Sequence, residues 1–241
     1  MFFFIFLIIL IVALVLIQKN KNKERIERYN TSEYALISGN DYHSVHWDKG
    51  NRGEYQTFLE LERLPAYKKL LVNLYIPKKD STTTELDLVM VSEYGIHVFE
   101  SKNYSGWIFG NEKNKFWMQT FKTGDKNRFY NPIWQNRGHI NALKELLEIE
   151  DDNVIKSCIV FGNDCEFKDL TVTSKNMLVF KRNQVYNTLS SQMIEPNKVF
   201  TREQLESTYY KLREYILADN ATKLAHVENV RAIVEQNQTF N

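Results

Sequence analysis

The sequence predicts an α/β fold: a central mixed sheet flanked by helices and preceded by one transmembrane helix. Three observations predict it. Residues 84–102 form two apolar runs joined by a tight turn at Tyr94-Gly95, where Gly supplies the positive φ of a hairpin. Shorter apolar runs at 70–76, 154–161 and 177–180 alternate with amphipathic helical patterns that begin at Gly53 and Asn131, as in layered sheet-and-helix domains. Residues 2–17 are uninterrupted apolar side chains.

The chain opens with that apolar run. At ~1.5 Å rise per residue it covers, with its flanks, a little less than a hydrocarbon core of ~30 Å. A cleaved signal peptide is the rival reading, but no basic segment precedes the run and no small-x-small site follows it. Lys19, Lys21, Lys23, Arg25 and Arg28 follow instead, the pattern of a cytoplasmic flank. The expectation is an uncleaved anchor over 1–18, N-terminus outside and soluble domain in the cytoplasm. Residues 19–49 read as a basic, polar juxtamembrane linker with scattered aromatics. Within it His43 and His46 are three apart, not the spacing of a zincin helix, and read as surface histidines.

Gly53-Glu54 leads into an amphipathic helix through Leu64. Its spacing puts Glu54 on the side of Phe58, facing the sheet; alternatively Glu54 only favours the helix dipole. The strand at 70–76 and the one at 85–92 are joined by a polar loop and are expected to be neighbours. In the hairpin that follows, pairing Glu93 with Ile96 sets Val89 opposite Glu100 and Asp87 opposite Lys102, all on one face. Asp87, Glu100 and Lys102 then converge at one end of an apolar hairpin. Buried charges persist when paired or holding a metal, so the cluster is either an ion pair or a divalent-cation site beside a lysine.

After Lys102, the runs 107–109 and 116–121 read as another hairpin. Lys113, Lys115, Lys122 and Lys126 are interleaved there with Trp107, Phe116 and Trp117. That composition suits phosphate contact and base stacking; a solvated hairpin with core-facing aromatics explains it equally. Asn131-Pro132 starts a helix whose apolar stripe runs from Ile133 to Leu147, with Gln135 and His139 one turn apart on the same side. Arg137 and Lys144 lie on the same helix, as phosphate contacts or as solvated charges. The run 154–161 reads as a buried strand, parallel to its neighbour. Helices are expected at 184–194 and 201–217, the second opened by a capping box at Thr201, within a helical C-terminal region over 182–241.

The formal charge is +1, with 31 basic and 30 acidic residues, which excludes coating of nucleic acid by bulk electrostatics; binding must come from local patches. The two cysteines, Cys158 and Cys165, lack metal-ligand spacing and read as reduced, incidental thiols. The sequence contains no repeat and no phosphate-binding glycine loop.

The pattern Asp87 followed by Glu100-Ser101-Lys102 resembles the core motif of the PD-(D/E)XK nuclease superfamily. The wording from Glu85 to Gly110, the upstream Gly53-Glu54 and the downstream Asn131-Pro132-Ile133-Trp134-Gln135 resemble one branch, the nuclease-related domain (NERD), spanning about 50–181. The resemblance implies a restriction-endonuclease-like core and metal-dependent phosphodiester hydrolysis in nucleic acid, DNA ahead of RNA. It implies Mg²⁺, or Mn²⁺, on Asp87 and Glu100 with the Ser101 carbonyl as a third ligand, and Glu54 as a further acid. Lys102 would orient the nucleophile and Gln135 the attacking water or the substrate backbone, with His139 a lesser companion. A catalytically silent, membrane-tethered nucleic-acid-binding or scaffold module of the same fold is the alternative.

Overall fold

A computed structural model describes residues 2–80, 82–194, 197–216, 222 and 224–229. Its centre is a five-stranded sheet in the order β1-β2-β3-β7-β9. The first three strands, β1 (Lys68–Pro77), β2 (Thr83–Ser92) and β3 (Gly95–Lys102), form an antiparallel meander. Strands β7 (Ile155–Phe161) and β9 (Met177–Lys181) then extend it in parallel with β3. The sheet is mixed, as the sequence predicts. The near-continuous apolar character of β2, β3 and β7 follows from burial on both faces.

One face is covered by α4 (Lys49–Glu62) and α6 (Val185–Ser190), which bury Phe58, Leu61, Val185 and Leu189 against Leu88, Met90, Phe99 and Cys158. The other face is covered by α5 (Pro132–Leu147) and α7 (Arg202–Arg213), with Ala142, Leu143, Leu205 and Leu212 against Val89, Val91, Val98 and Ile155. Helix α7 begins at a capping box between Thr201 and Gln204, as expected, and ends at Arg213. The expected helix at 184–194 shortens to α6 after a single 3₁₀ turn at Arg182–Gln184. Met1, Leu217 and most of the final polar stretch lie outside the described residues.

A second sheet, ordered β6-β5-β4-β8, packs beside the first. Strands β4 (Gly106–Asn111) and β5 (Phe116–Thr120) are the expected hairpin. Strands β6 (Lys126–Tyr130) and β8 (Cys165–Thr171) are additional. Ile108, Trp117 and Phe129 point into a core shared with Ile133, Ile159 and Phe161. The turn between β4 and β5 is fastened by Glu112, whose carboxylate accepts the backbone N–H groups of Thr173 at 2.9 Å and Ser174 at 3.1 Å as well as the Thr173 hydroxyl. Those donors hold its pKa down to about 2. The folded value lies below the unfolded one, so this stabilisation is present above about pH 4.5 and is lost as pH falls towards about 2. Glu112→Gln is therefore expected to lower the melting temperature at pH 7, with the gap to wild type closing through that acid window in thermal unfolding scans.

The N-terminal region differs from the expectation. The apolar run does not end in a linker: α1 runs unbroken over Phe2–Asn30 and is followed by α2 (Glu33–Ser38) and α3 (Tyr42–Trp47). Ser32 and Asp41 cap these short helices by accepting N–H bonds at Ala35 and at His43 and Ser44. Tyr29, Tyr34 and Val45 are buried in the same core as Phe58 and Leu88, so 26–49 belongs to the packed body. Residues 3–17 of α1 are exposed to the surroundings. By length and composition α1 fits a membrane span or a signal sequence.

Candidate active site

The β2–β3 hairpin builds the site. Ser92 fixes its turn: the Oγ accepts the Tyr94 N–H at 3.2 Å and donates to the Gly95 carbonyl at 3.1 Å. Gly95 has φ 101°, and a Cβ there would meet the Val154 carbonyl oxygen at 2.5 Å, so only glycine fits. The loop residues are thus Glu93 and Tyr94, not Tyr94 and Gly95. Val91 pairs with Ile96 and Leu88 with Phe99, a slip of two residues from the register expected above. A slip of two leaves alternation unchanged, so Val89, Val91 and Val98 keep their common face. The alternation breaks at Asp87, across from Asn73 at φ 53°, where Leu86 and Leu88 pack on opposite sides of the sheet. The slip also changes the partners: Asp87 falls beside Glu100, not Lys102. The Ser101 N–H donates to Asp87 Oδ2 at 2.9 Å.

Glu100 is 1% exposed and is held from two sides. Lys102 Nζ donates to its Oε1 at 2.6 Å, and His139 Nε2 lies 3.1 Å from its Oε2. The other ring nitrogen of His139 is 2.7 Å from Thr84 Oγ1. With the proton on Nε2, His139 donates to Glu100 and accepts the Thr84 hydroxyl, so every group is satisfied. Lys102 also donates to Gln135 Oε1 at 3.1 Å. Gln135 and His139 reach the same cluster because they are one turn apart on α5. The start of that helix is set by Asn131, which caps Ile133 through its side-chain oxygen and donates from Nδ2 to the carbonyls of Glu112 and Asn114.

The charges perturb one another. Asp87 is pushed up to about 7, first by burial and then by the negative charge of Glu100, against the opposing pull of Lys102. Burial would raise Glu100 too, but Lys102 and His139 outweigh it and hold it below its ordinary value. Lys102 is raised by Glu100 and Asp87 despite a burial that opposes its charge. Glu54, on α4, lies well above the ordinary glutamate range through burial and then the charges of Asp87, Glu85 and Glu100. It reaches the site because α4 approaches β3 closely at Gly53, where a Cβ would sit 2.8 Å from the Asn103 Cβ. Arg182 locks that junction by donating to Asn103 Oδ1 at 3.1 Å and to Gln56.

The remaining sequence candidates lie elsewhere. His43 and His46 are exposed, with His46 stacked on Tyr42 at 5.6 Å. Cys158 and Cys165 are buried free thiols whose pKa values burial raises, Cys165 to about 11. Arg137 is exposed, and Lys144 pairs with Asp152. The supporting roles of Thr84, Asn103 and Arg182 had no sequence signal, since each depends on a partner far along the chain.

Among the described residues no three His, Cys, Asp or Glu side chains form a metal-holding group. The donor set is smaller: two adjacent carboxylates, one of them raised by the other's charge. Hard oxygen donors with mutual repulsion suit a divalent cation such as Mg²⁺.

The nuclease-related domain family matches this chain over residues 49–162. An uncharacterized protein of Bacillus anthracis is 30% identical over 188 residues, covering 77% of this chain and 85% of the relative. No solved structure matches significantly. The family match runs from the first residue of α4 to just beyond β7 and contains Glu54, Asp87, Glu100, Lys102 and Gln135. With a matched domain of this extent and a relative aligned over most of both chains, the protein belongs to the nuclease-related domain family.

Proposed function

We propose that this chain is a membrane-anchored, metal-dependent nuclease that hydrolyses phosphodiester bonds in nucleic acid, DNA ahead of RNA. The observation that carries the reading is the state of Asp87. A structural ion pair accounts for Glu100 and Lys102, but it leaves a second carboxylate beside them with its pKa raised to about 7. A half-buried carboxylate kept beside a second one, with its Oδ2 fixed by the Ser101 N–H, is what a cation site requires and what a structural pair does not.

Asp87 and Glu100 would hold Mg²⁺ or Mn²⁺, with the Ser101 carbonyl as third ligand; the ion's chemistry is to activate water and offset charge on the phosphate. Lys102, poised between Glu100 and Gln135, places a positive charge where the phosphate oxygens gain negative charge and orients the nucleophile. Gln135 fixes the attacking water or the substrate backbone. Glu54, whose pKa burial and then the charges of Asp87, Glu85 and Glu100 raise, supplies a further acid at the cluster's edge. His139 acts through Glu100, keeping that carboxylate ionised and aimed.

The test is cleavage of labelled single- and double-stranded DNA and RNA by the detergent-solubilised full chain, with Mg²⁺, with Mn²⁺ and with chelator. Metal-dependent cutting is expected, strongest on DNA. A second reading, a non-cutting tethered binding or scaffold module, draws on the 2.6 Å contact of Lys102 with Glu100, which neutralises the site without any ion. Binding with no cutting under every metal condition would establish that reading instead.

The same proposal places α1 in the membrane as a single pass through residues 2–17, N-terminus outside and the domain cytoplasmic. The support is the basic flank Lys19, Lys21, Lys23, Arg25 and Arg28. In intact cells the domain is expected to resist external protease and to become sensitive on permeabilisation. Cleavage before permeabilisation would mean export.

A further inference from the structure

The second sheet presents an outward face that the catalytic reading does not use. Its inward positions, Ile108, Trp117 and Phe129, are buried. The residues between them point the other way: Trp107 and Phe109 on β4, Phe116 and Met118 on β5, Arg128 and Tyr130 on β6. These aromatics are half-buried, with Tyr130 42% exposed. Cations lie over their rings: the Arg128 guanidinium is 4.3 Å from the Phe116 centroid, Lys115 Nζ is 5.4 Å from the same ring, and Lys168 Nζ is 5.3 Å from Trp107. A cavity of about 330 Å³ is lined by Phe109, Phe116, Trp117, Met118, Arg128 and Asp169.

We infer that this face binds single-stranded nucleic acid, seating a base in the Phe116–Arg128 cavity. Rings on the open side of a four-stranded sheet, flanked by cations, are how proteins stack splayed bases without reading sequence. A duplex hides its base faces, so such a platform selects single strands. The cavity's volume falls at the small end of ligand pockets, ~300–1,000 Å³, which suits one base better than a folded peptide. Asp169 and Glu166 reduce the positive field, and Glu166 pairs with Lys168 at 2.6 Å. Specific stacking must therefore carry more of the binding than charge. The aromatic stripe also has a direction. Phe116 meets Tyr130 at 6.3 Å, and Tyr130 meets Trp134 at 6.3 Å, the residue before Gln135. A strand laid along it would run towards the helix that carries Gln135 into the catalytic cluster. The inference rests on the nuclease reading for its choice of polymer, but binding and cutting are measured separately.

The experiment uses the full chain in zwitterionic nanodiscs with chelator present, so that nothing is cut. Anisotropy of a short labelled oligothymidylate, free and as a duplex, is measured for wild type, Phe116→Ala, Phe116→Tyr and Arg128→Ala. Phe116→Ala and Arg128→Ala are expected to weaken single-strand binding by about 10-fold, within the range for a lost base stack, and to erase the preference over duplex. Phe116→Tyr is expected to bind as wild type, and matching melting temperatures exclude misfolding. Phe116-dependent binding in a protein that cuts nothing would keep the platform and remove the nuclease. Lys102-dependent cutting with full single-strand affinity in Phe116→Ala and Arg128→Ala would do the reverse. No single-strand binding by wild type overturns the inference. So does unchanged oligonucleotide affinity in the variants combined with protection of β5 and β6 amides from hydrogen exchange by anionic lipid, which would assign the face to the bilayer.

Discussion

Lys102→Ala is expected to lower the rate of cleavage by at least about 10²–10³-fold, the usual cost of removing one preorganised group facing transition-state charge. Asp87→Asn is expected to reduce it to the level seen with chelator. The two substitutions should part company in stability, and that is what makes them informative. Removing Lys102 leaves Glu100, 1% exposed, with His139 as its remaining side-chain partner. Breaking a buried pair from one side costs about 3–5 kcal/mol, so Lys102→Ala should melt well below wild type. Asp87→Asn keeps an oxygen that can accept the Ser101 N–H, bonded at 2.9 Å to Asp87 Oδ2, and removes a carboxylate that burial and Glu100 hold at about 7. Its melting temperature at neutral pH should match or exceed that of wild type. A residue whose loss helps stability and abolishes turnover is held in place for chemistry. Thermal unfolding beside the cleavage assay decides the matter. A strongly destabilised Asp87→Asn with undiminished cutting would make the cluster a structural pair.

Much of this architecture is legible in the residues, and the failures have specific causes. Alternation along 84–102 gives the hairpin and the common face of Glu100 and Lys102, but alternation is unchanged by a two-residue slip and does not show the break at Asp87, where Leu86 and Leu88 pack on opposite sides. The register was decided by the hydrogen bonds of Ser92 and the positive φ of Gly95, which periodicity does not encode. Strands β6 and β8 were invisible because most of their side chains face solvent: Phe129 is the one buried residue of β6 and Cys165 of β8. The Asn of Asn131-Pro132-Ile133-Trp134-Gln135 turned out to cap α5 and bind the β4–β5 turn, so the motif joins a structural device to a candidate site residue. His139 reads in the sequence only as a lesser companion of Gln135, because nothing near it in the chain calls for an imidazole. What calls for one is the second oxygen of Glu100, which needs a partner from another element.

Tyr29→Ala should be the most destabilising substitution outside the candidate site. Tyr29 lies one residue before the end of α1, yet it is 2% exposed. Its ring meets Tyr55 at 5.2 Å, Tyr42 at 5.7 Å and Tyr34 at 6.3 Å, and its hydroxyl donates to the Asn40 carbonyl at 2.7 Å. Truncating a large buried aromatic costs about 3–5 kcal/mol, which in a domain of this size is a fall of roughly 6–20 °C in melting temperature. Tyr29→Phe keeps the packing and loses one hydrogen bond, so it should cost only about 1 kcal/mol. The ranking matters because Tyr55 is the neighbour of Glu54 on α4. If the ordering holds in thermal unfolding of the detergent-solubilised chain, the helix that carries the apolar run is locked into the same core as the candidate site. The domain would then sit at a fixed height and tilt relative to the bilayer, instead of swinging on a tether. If Tyr29→Ala melts like wild type, α1 ends in a flexible joint, and the aromatic cluster around Tyr34 stands without it.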